Sequence, residues 1–568
     1  MSGSKDQPSE APYPGSRQIP RWKTGQLPDA PRFTWRNWIG LLGPGLLMAG
    51  ANIGGGEWLM GPVITAKFGP GLLWLATMSI AGQAVYNIEI SRYTLYTGEP
   101  IFTGKFRTLP GPMFWVWIYI LLDVGMLFPY LAVNAAIPLV ALYRGTIPDP
   151  DADEALLRVV AIVVFLLTLI PLVIGGKIYN CLKVIMTIKM LIVLGFLVLV
   201  AVLFSHSQTW KEISVGLVQI GNVPVTRGED LNGNGVLDPG EDWDRDGRLD
   251  VVEADTDGDG KLSAAEDLDG DGTRDGASVD NVFVSLFEGR GFPAIDFAMI
   301  GFLAALAAIA GGGGLGNTPI SNYTRDQGWG MGAHVGAIPS IIGGHTLKVS
   351  HVGMVFQVSK ATMERWRGWY RHVARDQLVI WLPACILGIA LPSMLSVAFL
   401  KRGFAADDNW LAAVITADAL RDHVGSEWGY FFWWMTIFCG FLVLGPSISV
   451  AADAFIRRWV DVFWTASRRL RELDPQSIRY VYFAVLSVYA VVSVALLIFG
   501  LPDQLLLIAA LFLNFALGFS CWHTLWINCS LLPPPLRPGW FIRVALFLAG
   551  LFFFMIGTVS TLARLEIV

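Results

Sequence analysis

The densest chemistry in the sequence lies between residues 230 and 275, where side-chain oxygens recur in register. Asp230, Asn232, Asn234, Asp238 and Glu241 put oxygens at positions 1, 3, 5, 9 and 12 of a loop, with Gly235 at position 6. That is how a calcium loop gathers oxygen ligands around a sharp glycine turn and closes with a bidentate carboxylate. Asp242, Asp244, Asp246, Gly247, Asp250 and Glu253 repeat the pattern, as do Asp255, Asp257, Asp259, Gly260, Ser263 and Glu266. Asp267, Asp269, Asp271, Gly272 and Asp275 begin a fourth copy, with Ser278 where the terminal acid would stand. A merely solvated acidic linker has no reason to keep glycine and glutamate in phase three times.

Two glycine clusters form a second kind of site. One reads Ala51-Asn52-Ile53-Gly54-Gly55-Gly56-Glu57; the other reads Ala310-Gly311-Gly312-Gly313-Gly314-Leu315-Gly316-Asn317-Thr318-Pro319. Both interrupt apolar runs, where a broken backbone needs a compensating partner or a cavity. Glycine resists helix and lets a ligand approach the main chain. Restart signals follow each break: Glu57 in a first helical turn, and Thr318 then Pro319 as N-cap and first helical residue. Close helix packing would explain one such cluster. Two at matching positions point instead to a binding site of freed backbone groups, with Asn52, Gly54, Gly55, Gly56, Glu57, Gly312, Gly313, Gly314, Asn317 and Thr318 as its residues.

Elsewhere in the apolar runs, Glu89, Asp123 and Asp453 are candidates for an ion or proton route, with Asn87, Asn134 and Arg92 as partners. Asp453 stands four residues before Arg457, so a structural ion pair explains it equally well. His523 reads more readily as a packing residue than as a ligand. His334, His345 and His351 match no ligand spacing.

The elements that must position these groups follow from composition. The chain has 568 residues, 54% hydrophobic and only 15% charged, with a mean hydropathy of +0.52; soluble domains carry about 25% charged residues. It reads as an all-α polytopic membrane protein. Runs long enough to cross hydrocarbon recur near 39–65, 70–97, 112–142, 155–175, 181–204, 294–325, 376–400, 429–456, 479–500, 503–528 and 541–563, which gives 11 spans. The glycine clusters fall in spans one and six, the first of each half in a five-plus-five arrangement. The stretch 330–358 is interrupted by polar residues and is read as part of a loop, because 325–375 carries seven Lys/Arg against two acids.

The net charge of −5 conceals two opposed bodies. Residues 229–280 hold 18 acids against 4 bases, which leaves +9 on the rest of the chain. The Arg-rich loop Arg457–Arg479, the 325–375 loop and the 1–38 tail are placed in the cytoplasm by their basic residues. The acidic 205–290 connection and the C-terminus then lie outside, where plentiful Ca²⁺ would fill even weak loops. The expected organisation is a disordered cytoplasmic tail (1–38), spans one to five (39–204), an extracytoplasmic loop with the calcium repeats (205–290), spans six to ten (291–528) and a last span (529–568). The polar start does not read as a signal peptide. The five cysteines suggest neither a disulfide framework nor a thiolate metal site.

Gly43-Pro44-Gly45, Ile53, Gly56, Phe68-Gly69, Leu73-Trp74, Arg92 and Thr97-Gly98 fall without gaps onto the first two helices of the Nramp divalent-metal transporters. Over about 55 residues the chain resembles that family, and the span count and second break extend the likeness. The resemblance implies a LeuT-type inverted repeat with broken helices one and six. It also marks a departure: the family's metal-binding D-P-G-N maps onto Gly54-Gly55-Gly56-Glu57, and its M-P-H-N onto glycine. A thioether selects soft metals, so its absence from the break in the sixth span points to an altered substrate. The calcium repeats start 12 or 13 residues apart, too close for EF-hand helices, and resemble dockerin or thrombospondin type 3 repeats.

The expected function is secondary transport of a hard divalent cation, Mg²⁺ or Mn²⁺, by alternating access and coupled to an ion or proton. The alternatives are Na⁺- or H⁺-coupled transport of a small organic solute or anion, and a calcium-dependent receptor or adhesion protein. No nucleotide-binding loop supports ATP-driven pumping, and nothing suggests an enzyme or a nucleic-acid partner. The expected partners are the bilayer of the plasma membrane and a small solute or ion, with structural Ca²⁺ in the insert.

Overall fold

The structure, a computed structural model, describes residues 15–34, 42–54, 56–146, 148–149, 152–174, 177–225, 228, 278–297, 300–339, 349–400, 411–499 and 502–565. The calcium repeats from Asp230 to Asp275, together with Gly55 and His345, lie outside the described residues.

Eight described helices are long and apolar enough to cross a membrane, and the bent pair Trp58–Leu72 and Trp74–Thr97, folded by 91°, makes up to nine. The chain is a multi-pass membrane protein. The Pro475–Phe499 and Trp540–Arg564 spans bury only 28% of their most apolar window in the protein, against 67% for Trp428–Ala466. Side chains such as Val491 and Leu191 face outward, which lipid tolerates and water does not. The Ser426–Ala466 helix is central and packs against Tyr130–Arg144, Ile178–Phe204 and Ile478–Phe499.

The two runs with glycine clusters are discontinuous helices. The first is Pro44–Asn52, a gap, a π turn over Gly56–Met60 and then Gly61–Phe68. The other is Ile300–Ile309 followed, after the glycines, by Pro319–Asp326. Proline opens Pro44–Asn52 and Pro319–Asp326 at the first turn, where its missing N–H costs nothing.

Three expectations need correction. The 1–38 segment is not disordered throughout: Ile19, Trp22 and Leu27 are buried, and Lys23–Thr24 pairs in parallel with Met354–Val355. The apolar side chains and a paired backbone offset the ordering entropy of this stretch. The helix that holds the seventh apolar run begins earlier than 376, because Lys360–Arg375, capped by Ser359, runs through a π turn into Leu382–Phe399. Its Trp366 and Trp369 are buried, so a stretch read as loop from its charge is an amphipathic helix. Lastly, Arg325, Arg457 and Arg458, counted as loop charges, are fully buried in helices because buried carboxylates match them.

The base of the acidic insert is a small antiparallel ladder in which Asn222–Val225 pairs with Ser278–Asn281. Asp280 binds Arg290 through two oxygens, at 2.8 and 3.0 Å, and Trp74 Nε1 donates to Asn222 O at 2.9 Å. The insert therefore leaves and returns at one point on the bundle.

Candidate functional site

Gly311, Gly312, Gly313 and Gly314 all have positive φ, at 87°, 125°, 38° and 55°. A run of left-handed residues ends the Ile300–Ile309 helix, and L side chains rarely accept that conformation. Asn52, the last residue of Pro44–Asn52, reaches across and donates its side-chain amide to Gly311 O, and to Asn317 Oδ1 at 3.2 Å. Asn317 in turn donates to Gln83 Oε1 at 2.5 Å, and Gln83 Nε2 donates to Ala310 O at 2.7 Å and Ser79 Oγ at 2.9 Å. Side-chain amides thus take up main-chain groups that the missing helix leaves free, as a broken backbone at membrane depth requires.

The two breaks border an open cavity of about 80 Å³ whose wall includes Asn52, Gly54, Gly312, Gly313, Gly316 and Ser447. Met48, Met126 and Tyr130 also line it. The second break has no thioether, but the tertiary structure brings two methionines from elsewhere. Sequence reasoning missed them because it looked for sulfur only at the breaks. Gly314 packs on Leu513, where a Cβ would come within 2.4 Å of a side-chain carbon.

Thr318 does not act as an N-cap. It is already helical, and its hydroxyl donates to Leu315 O at 2.7 Å. A succession of tight turns, with Thr318 N bonded to Leu315 O and Ile320 N to Asn317 O, leads into Pro319–Asp326 and leaves no amide that needs a cap. Gly56 and Glu57 open the π turn.

The fold also places a residue that the sequence reading did not single out. Lys189, in the middle of Ile178–Phe204 and 2% exposed, donates to Ile53 O and Val443 O at 2.7 Å and to Ser447 Oγ at 2.6 Å. The rule applied to intramembrane acids, that an ionisable group inside a span is functional by default, would have found it.

Glu89, Asp123 and Asp453 are not part of the cavity wall, and each has its own arginine. Glu89 pairs with Arg92 at 2.9 Å and accepts from Asn528. Asp123 binds Arg458 at 2.8 Å and the Trp459 indole. Asp453 takes Arg457 at 2.7 Å and the hydroxyls of Tyr323 and Tyr482. Arg457 also reaches Asp326, and Arg325 reaches Asp461, so these pairs fasten Pro319–Asp326 to Ser426–Ala466. His523 is held between Thr108 and Tyr119 at 2.8 Å on each ring nitrogen. His334 and His351 bond to separate main-chain carbonyls. Among the described residues no group of three or more His, Cys, Asp or Glu could hold a metal ion.

The chain shares its fold with a solved manganese transporter. A mutant of the manganese transporter of Eremococcus coleocola superposes with a TM-score of 0.55 at 14% identity, covering 94% of this chain and 88% of that one. The same transporter in complex with an aromatic bis-isothiourea compound gives 0.54 with the same coverage. At this identity the likeness is one of fold. No protein-family model matches the chain, and no curated protein does either.

Proposed function

We propose that the protein is a secondary active transporter that alternates access to a substrate held between two broken helices, and that the substrate is a hard divalent cation such as Mg²⁺ or Mn²⁺. The observation that carries this reading is the cavity bounded by both breaks, a construction that a mere membrane anchor or receptor stalk does not need. Main-chain carbonyls, Asn52, Asn317, Thr318 and Glu57 would supply oxygen ligands to a partly hydrated ion. The sequence resemblance and the manganese transporter that shares the fold support the cation. In this reading the two broken spans, Trp74–Thr97 and the eight long helices make 11 spans in a five-plus-five LeuT-type repeat. Glu89, Asp123 and Asp453 belong to an ion or proton route. The N-terminus is cytoplasmic, and the insert and C-terminus are outside, with Ca²⁺ bound structurally in the repeats.

One observation favours a second reading, transport of a small organic solute or anion: Ser447, on the cavity wall, accepts from the Lys189 ammonium. Flux into proteoliposomes decides between them, measured with Mg²⁺, Mn²⁺, Ca²⁺ and a panel of amino acids for wild type and Glu57→Gln. Divalent flux that Glu57→Gln abolishes supports the cation site; divalent flux unchanged by it removes Glu57 from the site. Amino-acid flux without divalent flux establishes the second reading. Calorimetric titration of the intact protein with Ca²⁺, with no heat of binding, would remove the calcium role of the insert.

A further inference from the structure

Trp74 opens the Trp74–Thr97 helix, and its indole donates to Asn222 O at 2.9 Å. Met78 stands one turn further along the same face and is 37% exposed, so that flank of the span meets lipid. The ladder of Asn222–Val225 and Ser278–Asn281 is therefore pinned to the end of a span, on its lipid side. The preceding turn supports it as well. Ser207–Gly216 packs on Gly69–Leu72, so closely that a Cβ on Gly216 would lie 2.2 Å from Pro70 O. A tryptophan at a span end marks the interfacial zone of a bilayer. Asn281 pairs with Asn222 itself, about 5 Å away, so the helix that follows, Val282–Phe287, starts at that depth.

Phe283, Leu286 and Phe287 stand at i, i+3 and i+4 of this helix, on one face, and are 64%, 53% and 94% exposed. Ile220, whose carbonyl accepts from Asn281 Nδ2 at 3.1 Å, is exposed beside them. The polar groups at the root of the helix are engaged: Asn281 Oδ1 accepts from Phe283 N and Val284 N, Asp280 binds Arg290, and Ser285 Oγ donates to Gly291 O at 2.9 Å. What the segment turns outward is apolar, which water penalises and a bilayer rewards. We propose that Val282–Phe287 is a membrane foot. Phe283, Leu286 and Phe287 enter the interfacial zone of the leaflet on the insert's side and hold the root of the acidic insert at the bilayer surface.

Three observations favour lipid as the occupant. The patch continues a surface that already faces the bilayer: Val202 and Leu203, in the last turn of Ile178–Phe204, are exposed, and so is Trp210 in the next helix. The insert is a poor cover for three large apolar side chains, since residues 229–277 are dominated by acids and contain one aromatic, Trp243. A second copy of the chain would need an interface of about 800 Å² on each partner, far more than a helix about 9 Å long presents. Phenylalanine and leucine on one face, above a polar root, are instead the composition of an interfacial anchor. A foot placed here also sets the depth of the Gly69–Leu72 turn, through which the first broken span passes into Trp74–Thr97.

The test uses the full chain in lipid nanodiscs, which leave both faces open to water. Phe287→Cys carries an environment-sensitive fluorophore, and its quenching by phosphatidylcholine brominated high in the acyl chains is compared with its quenching by iodide in the buffer. Labelled wild type supplies the background from the native cysteines, of which Cys181 and Cys529 are half-buried. Leu191→Cys, at an outward-facing position within Ile178–Phe204, calibrates the response to lipid. The label at Phe287→Cys is expected to be quenched severalfold more strongly by the brominated lipid than by iodide, with its emission shifted to the blue. Leu286→Cys is expected to agree, which guards against a local effect of one substitution. A label quenched by iodide and indifferent to the brominated lipid overturns the proposal, because the face is then in water. A label protected from both overturns it in favour of a protein cover, and the mass of the particle then tells a second copy from the insert.

Discussion

The side-chain amide of Asn52 donates to the main-chain carbonyl of Gly311, 259 residues further along the chain. A single side chain thus joins the end of one broken helix to the start of the other gap. Because Asn52 also lines the cavity, substrate binding and the coupling of the two breaks draw on the same group.

Replacing Asn52 with alanine leaves Gly311 O and Asn317 Oδ1 without that donor. The expected cost is about 1–3 kcal/mol, read as a lower denaturation midpoint, together with loss of transport in proteoliposomes. Asn52→Asp, which sets carboxylate oxygens against those acceptors, is expected to be worse than alanine. Wild-type transport by either variant would detach Asn52 from the site.

Gly313 has φ of 38°, and a Cβ there would lie 2.0 Å from Ala308 O, a main-chain atom that cannot move aside. Gly313→Ala is expected to lose well over 1 kcal/mol and to reduce the folded yield. Gly195, with nothing within 4 Å of its would-be Cβ, is the control: Gly195→Ala in the middle of Ile178–Phe204 is expected to be neutral or to stabilise by up to about 1 kcal/mol. Equal melting temperatures for the two variants would show that the glycine run is not conformationally required.

Asp123 and Arg458 form a pair that is almost wholly buried, and Arg458 also holds Leu315 O at 3.1 Å, next to the second break. Asp123→Asn is expected to cost about 3–5 kcal/mol, because it strands a buried guanidinium. The double variant Asp123→Leu/Arg458→Met is expected to recover much of that loss, apart from the bond to Leu315. A double-mutant cycle of melting temperatures reads the coupling; strict additivity would mean that the pair contributes nothing.

Glu99 anchors residues 15–34 of the N-terminal segment through Trp22. Burial pushes its carboxyl up, but the Arg107 guanidinium at 2.5 Å and the bonds from Trp22 and Tyr93 outweigh that and hold it below its ordinary value of 4.5. With the folded value depressed, the stabilisation is fully present above the unfolded value and is lost as pH falls through the folded one. Glu99→Gln is therefore expected to be less stable at neutral pH and to show a flatter acid limb, with proteolysis of residues 15–34 accelerated. An acid limb identical to wild type would show that the segment is held by its apolar contacts alone.

The membrane class, the long spans and the positions of both breaks were legible in the sequence, because they depend on local quantities: apolar run length, glycine's dislike of helix, and proline at a first turn. Loop charge was a weaker guide. Arg325, Arg457 and Arg458 looked like cytoplasmic loop charges, and only the fold shows each one buried beside an aspartate from another element or another turn. In the same way Lys360–Arg375 reads as a basic loop until Trp366 and Trp369 are seen to face the protein.

What only the tertiary structure decided is the company each group keeps. Sequence spacing placed Asn52 and Gly311 at two breaks, but not against each other. It gave no hint that Met48 and Met126 share a cavity, or that Lys189 meets carbonyls from two other helices. The physical reason is the range of the interactions: helix and break are settled within a few residues by backbone sterics and burial, whereas a cradle of oxygens exists only where separate helices cross.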